Sequence, residues 1–233
     1  MPHLHQANSL YRCRRKQHGA ALIVMLVIMI IGSIAFLVSS LSSSALQIAR
    51  DKTTAAALAQ AKDALIGYAI SVQISFSNSS NQPRPGELPC PDTTNDGSSD
   101  TPCLNVIGRL PWKTLGLPDL RDGSGERLWY AVSTNFKNYS RTSCNLTATP
   151  PTGCLNSDTK GTISVFASDG TQLNDGGGST GVVAVIIAPG DVLTRQGGSL
   201  QDRSSAGVNT ASNYLDIATV GGITEDNANF IDG

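Results

Sequence analysis

The run AALIVMLVIMIIGSIAFLVSSL, residues 20–41, decides the expected fold because it contains no charged residue. An apolar run of about 20 residues is the length of a membrane-spanning helix and is too long for a signal-peptide core. Arg12, Arg14, Arg15 and Lys16 precede it, so the excess of positive charge should keep the N-terminus in the cytoplasm. We therefore expect residues 20–41 to cross a membrane once and the remainder to be exported.

The helix is expected to continue past the apolar run, because no proline or helix-ending glycine stands there and the next segment is rich in alanine. Apolar residues then recur at intervals of three and four, which is typical of an amphipathic helix: Leu58, Ala61, Leu65, Tyr68, Val72 and Phe76. This spacing predicts one helix over residues 20–76, whose second half packs a single stripe against a domain formed by residues 77–233.

The domain after the helix is expected to be a small antiparallel sheet with long loops. Residues 127–132, 161–167 and 181–188 have the composition of strands. The last of them is almost continuously apolar, which favours a central position. The predicted fold class is thus α+β: a long N-terminal helix, with a membrane-spanning half and an amphipathic half, packed on a small antiparallel sheet.

Histidine and charge limit the functions open to this chain. His3, His5 and His18 all precede Gly19, so the rest of the chain lacks the commonest general base and metal ligand. After Gly19, 13 of the 17 Lys and Arg remain against all 18 Asp and Glu, which argues against a nucleic-acid partner.

A nucleophile pattern is also present but lacks its usual context. Gly177, Ser179 and Gly181 match G-x-S-x-G, yet they lie in NDGGGSTG, which has the composition of a hairpin turn. No histidine follows to act as the base. We expect no enzymatic activity and no catalytic residues.

Four cysteines lie beyond the apolar run, an even number that fits disulfides in an oxidising compartment. They permit three pairings. We favour the two local ones, Cys90–Cys103 and Cys144–Cys154, because contact is most probable over short separations.

The segment DTTNDGSSD, residues 92–100, has two interpretations. Oxygen-bearing side chains alternate around Gly97, a spacing that can direct several oxygens at one hard cation such as Ca²⁺: Asp92, Thr94, Asp96, Ser98 and Asp100. The match to a calcium loop is partial, because Thr94 replaces an acid or amide and Cys103 stands where glutamate is expected. The other interpretation is an Asp/Asn/Gly turn that binds no metal.

The leader carries a family resemblance: RRKQHG followed by AALIVMLVIMI resembles the N-terminus of type IV pilins and type II secretion pseudopilins. The resemblance implies that a prepilin peptidase removes residues 1–19 by cleaving between Gly19 and Ala20, and that the new Ala20 amine is methylated. It further implies a single-pass protein of the bacterial inner membrane with a periplasmic domain. The apolar helix would contact lipid first and the helices of other subunits in the filament later.

One departure from the family pattern narrows the assignment. Most members carry glutamate at the fifth mature position, where this chain has Val24, and phenylalanine where it has Ala20. The absence of this glutamate is characteristic of some minor and tip subunits, so the resemblance favours a minor pilin or pseudopilin. The alternatives are an uncleaved signal anchor and a membrane-tethered binding module or adhesin that does not polymerise. No cofactor is required, although calcium orders similar loops in pilin-like domains.

Overall fold

The computed structural model describes residues 19–71, 85–137, 155–195, 197–204, 207–215, 217–226 and 228–231. Within these residues, one helix and eight strands follow in chain order. They are α1 (Ala20–Ser71), β1 (Ile107–Arg109), β2 (Trp129–Val132), β3 (Ser164–Phe166), β4 (Gln172–Asn174), β5 (Ala184–Ile187), β6 (Thr219–Val220), β7 (Ile223–Thr224) and β8 (Asn229–Ile231), with a short 3₁₀ helix at Ala211–Asn213 before β6.

The strands form three small sheets rather than one antiparallel sheet. The first has the order β1-β2-β5 and is antiparallel, with Tyr130 opposite both Gly108 and Ile186. The second has the order β4-β3-β8, and β3 pairs with β8 in parallel. The third is the β6-β7 hairpin. The sequence did not predict the parallel pair, because its two strands lie more than 60 residues apart and neither is long enough to carry a periodic pattern.

Strand β2 is the central strand of the first sheet. The sequence predicted that the strand within residues 181–188 would be central, but that strand, β5, lies at the edge of this sheet. All four residues of β2 are buried, and its two faces meet different clusters. Tyr130 and Val132 pack with α1, whereas Ala131 packs with Ile163 and Phe230. Because side chains alternate across a strand, this short segment joins the helix layer to the second sheet.

Ala57, Ala61 and Leu65 form the buried face of α1, and their spacing of four places them on one side of the helix. They pack against Leu128 and Tyr130. Of the predicted stripe, Ala61 and Leu65 are buried, Leu58 and Tyr68 are partly buried, and positions 72 and 76 lie outside the described residues. The predicted end of the helix at residue 76 therefore lies there too.

The predicted fold class is wrong in its central feature, a membrane-spanning half on a long helix packed along one sheet. Side chains of α1 are described at 22–34, at 36 and at 44–71. Among these residues no helix is both long enough and apolar enough to cross a membrane. The described side chains at 44–71 include five charged residues, Arg50, Asp51, Lys52, Lys62 and Asp63.

The localisation derived from that feature is corrected with it. A single-pass protein of the inner membrane with a periplasmic domain requires a spanning helix, and the described part of the chain offers none. The residues of α1 that are buried in the core are Ala57, Ala61 and Leu65.

Candidate functional site

The first candidate surface is the beginning of α1, whose described side chains are apolar and exposed. Gly19 lies in a turn, and its carbonyl accepts the first helical hydrogen bond, from the Ile23 N–H at 3.3 Å. The large apolar side chains that follow are between 46% and 76% exposed: Leu22, Ile23, Val24, Met25, Leu26, Val27, Ile28, Met29, Ile30, Ile31, Ile34 and Phe36. Ten of them are consecutive, so they cover the whole circumference of the helix at about 100° per residue.

Little in this stretch competes with apolar packing. Among the side chains described from Leu22 to Phe36, that of Ser33 is polar. The Ser33 hydroxyl donates to the Met29 carbonyl at 2.8 Å, one helical turn back. Val24, at the position where the family resemblance implies glutamate, is 57% exposed. Ala20, the predicted site of methylation, is the first residue of α1. Cleavage after Gly19 would therefore leave a chain that begins with the helix itself.

The second candidate surface is the loop between Cys90 and Cys103, which form a disulfide with Cα atoms 5.6 Å apart. Asp92 is the centre of this loop and is 1% exposed. Its Oδ1 accepts the N–H groups of Thr94, Asn95 and Asp96, and its Oδ2 accepts the Gly97 N–H at 2.6 Å. The buried carboxylate thus caps a tight turn made of its own following residues.

The other oxygen-bearing residues of the loop are engaged separately. Asp100 Oδ2 accepts the Thr93 N–H at 3.1 Å and the Thr93 hydroxyl. The Asp96 side chain accepts the Ser98 N–H at 2.7 Å, which lowers the pKa of this exposed carboxyl. Within the described ranges, no three His, Cys, Asp or Glu side chains are grouped so that they could hold a metal ion.

These contacts bear on the two interpretations of residues 92–100 given by the sequence. Each carboxylate of the loop accepts hydrogen bonds from nearby donors of the same loop, which is the behaviour expected of an Asp/Asn/Gly turn. They favour that interpretation. The calcium interpretation stays a prediction, and it requires Asp96→Ala to lower thermal stability only when calcium is present.

Three residues around the loop were not assigned to it by sequence reasoning. The Arg127 Nη1 donates to the carbonyl and to the side-chain oxygen of Asn95, both at 2.8 Å. The Lys113 Nζ donates to the Asp96 carbonyl. Trp112 covers the loop at Gly97, where an added Cβ would lie 2.5 Å from the indole. The position of Arg127 directly before a buried strand was the available signal, because a charged side chain there needs polar partners.

Asp119 and Asp122 each accept several hydrogen bonds. Asp119 binds Arg127 through both oxygens, at 2.8 and 3.0 Å, and binds Arg121 at 2.8 Å. Asp122 is buried and accepts the N–H groups of Ser124, Glu126 and Gly190. Both carboxylates hold turns in place.

Two other groups of residues singled out by the sequence remain. Gly177, Ser179 and Gly181 lie between β4 and β5, which belong to different sheets, so the segment is a connection between sheets and not the turn of a hairpin. Cys144 and Cys154 lie outside the described residues, so their pairing stays a prediction. No family model, curated protein or solved structure matches this chain.

Proposed function

We propose that this chain is a minor pilin or pseudopilin, a structural subunit that enters a filament of the type IV pilus or type II secretion class. The observation that carries the proposal is the apolar surface of α1, defined here as the exposed side chains from Leu22 to Phe36. A helix that is apolar on every face is normally buried, and an exposed apolar surface of this extent is typical of an interaction site. Helices of the same kind in other subunits would bury it on all sides.

The position of Gly19 supports the same proposal. It separates the basic segment from the apolar one in the sequence, and in the structure it immediately precedes the first residue of α1. Removal of residues 1–19 would therefore remove four positive charges and leave the helix intact. An uncharged helix can pack among identical helices without burying a charge.

Val24 supports a minor subunit rather than the bulk pilin. A glutamate at this position would have to be paired when the helix enters an apolar bundle, because a buried unpaired charge is strongly destabilising. Valine avoids that requirement and also forgoes the pairing with a neighbouring subunit. Such a subunit fits the end of a filament, where one neighbour is missing.

The experiment is mass spectrometry of the N-terminus of the protein from cells with and without the prepilin peptidase. We expect a chain that begins with N-methylated Ala20 only when the peptidase is present. Gly19→Ala should block cleavage, because the peptidase cuts after glycine, whereas Gly32→Ala is the matched control. A Cβ at either glycine meets no atom within 4 Å, so neither substitution disturbs packing. An intact Met1 in cells that contain the peptidase contradicts the proposal.

A binding module that is processed but does not polymerise is the remaining alternative. A photo-crosslinking residue at position 24 should attach the processed chain to other filament subunits. The same residue at Lys52, which is also exposed on α1 but lies outside the apolar surface, should not. Equal crosslinking at both positions would favour the non-polymerising module.

A further inference from the structure

The loop between Cys90 and Cys103 presents main-chain oxygens to two side-chain cations of the same chain. Asn95 has a φ of 63°, in the left-handed region that is uncommon for a residue other than glycine. Its carbonyl and its side-chain oxygen both accept from the Arg127 Nη1 at 2.8 Å. The next carbonyl, that of Asp96, accepts from the Lys113 Nζ. Adjacent residues of the turn thus place three oxygens against positive charge.

Arg127 is fixed in this position by its other hydrogen bonds. Its Nε and Nη2 bind the two oxygens of Asp119 at 2.8 and 3.0 Å, the bidentate geometry that the planar guanidinium favours. The hydrogen bond to Asp119 raises the pKa of Arg127, so its charge is permanent. The side chain therefore joins the 119–127 turn to the loop as a rigid, charged connector.

The anionic groups of the loop are stabilised from within. Asp92 is held by four N–H groups of the turn that follows it, and Asp100 is held by Thr93. A calcium loop distributes its oxygens differently, because carboxylates and carbonyls converge on one ion. Here the carboxylates bind N–H groups, and the carbonyl oxygens of Asn95 and Asp96 bind Arg127 and Lys113.

We propose that Arg127, assisted by Lys113, is the built-in cation of this loop and takes the role that the sequence suggested for Ca²⁺. The loop then has the same structure with and without divalent cations. Arg127 is a positioning residue, since it acts on the loop and not on a ligand. This inference is independent of filament assembly, and its failure would leave the proposed function untouched.

The test is hydrogen–deuterium exchange of the peptide that contains residues 92–100, with the purified full chain in calcium and in EDTA at matched ionic strength. In the wild type we expect the same exchange rate and the same Tm in both solutions. Arg127→Gln should accelerate exchange of this peptide by about tenfold or more in both solutions, because it removes the two charge-assisted hydrogen bonds that Arg127 donates to Asn95.

Arg121→Gln is the matched control. Arg121 also binds Asp119 at 2.8 Å, but its other contact is the Gly125 carbonyl and not the loop. It should change exchange of residues 92–100 by less than about twofold, as expected for an exposed ion pair. If Arg127→Gln prevents folding, Lys113→Gln replaces it, with a smaller acceleration confined to the same peptide.

Several results would overturn the proposal. One is a wild-type Tm that rises with calcium, or loop exchange that slows with it. Another is that Arg127→Gln accelerates hydrogen exchange of residues 92–100 no more than Arg121→Gln does. If Lys113→Gln is used in place of Arg127→Gln, an unchanged exchange rate of this peptide also overturns the proposal. Asp96→Ala gives a direct comparison, because the calcium interpretation requires its effect only in calcium, whereas our proposal requires the same effect in both solutions.

Discussion

Asp92→Asn offers the sharpest test of how the loop is built, because it changes the charge of one buried side chain and preserves its shape. The carboxamide oxygen can still accept the N–H groups now bound to Oδ1, but its NH₂ group replaces Oδ2 and faces the Gly97 N–H at 2.6 Å. Two donors then oppose each other in a buried position, at a cost of about 1–3 kcal/mol. Flipping the amide would be worse, because the NH₂ group would then face three N–H groups.

The assay is thermal unfolding of the full chain in mild detergent, followed by near-ultraviolet circular dichroism. For a folded unit of this size, about 2 kcal/mol corresponds to a decrease in Tm of roughly 4–8 °C. Asp96→Asn is the control, since Asp96 is exposed and its amide can still accept from Ser98, so the effect should stay within about 0.5 kcal/mol. Equal effects of the two substitutions would show that Asp92 does not organise the turn.

Two further predictions follow from the contacts around the loop. Burial raises the pKa of Asp119, but the hydrogen bonds from Arg127 and Arg121 outweigh this effect and lower the pKa below its ordinary value of about 4. The contribution of Asp119 to stability is therefore complete above about pH 4 and is lost as the pH falls through the lower folded pKa. The Tm difference between wild type and Asp119→Asn should shrink below about pH 4, and a difference that stays constant with pH would refute the coupling. Gly97→Ala should lower the Tm more than Gly116→Ala. Both glycines have a positive φ, but only at Gly97 would an added Cβ lie within 2.5 Å of the Trp112 ring. Equal decreases in Tm would show that backbone strain alone is responsible.

Local patterns predicted the features that depend on neighbouring residues. The spacing of apolar residues pointed to Ala61 and Leu65 as part of the buried helix face, and strand propensity pointed to the segment that contains β2. The composition of residues 92–100 indicated a turn, and Asp92 closes it with bonds to residues two to five positions ahead. Each of these signals is contained in a window of a few residues, which is the range over which sequence patterns are informative.

The membrane-spanning half was predicted from a local pattern as well, and it is the feature that the structure contradicts. The absence of charge in residues 20–41 describes composition, whereas crossing a membrane requires a helix that is both apolar and long enough. Among the described residues, no helix is both long enough and apolar enough to cross a membrane. The large apolar side chains described from Leu22 to Phe36 are exposed.

Buried arginines explain why the C-terminal half was the least predictable part. Arg109 lies between the rings of Trp129 and Tyr214, with its guanidinium carbon 4.4 and 4.0 Å from their centroids. Its Nη atoms donate to the carbonyls of Arg127 and Val208, which are 18 and 99 residues away. Burial lowers the pKa of the Arg109 guanidinium, and the two rings and the two carbonyls provide favourable contacts for the buried cation.

Arg203 also donates to backbone carbonyls, within residues 189–213. Its side chain is 6% exposed and donates to the carbonyls of Gly190, Asp191 and Asn213. Carbonyl partners are present at every residue, so no sequence pattern marks the ones that an arginine will use. The same physics operates in the loop between Cys90 and Cys103, where Arg127 binds the Asn95 carbonyl. In the described loops, the guanidinium groups of Arg109, Arg127 and Arg203 therefore satisfy backbone carbonyls that no sheet or helix pairs, and they hold together segments whose composition predicts little structure.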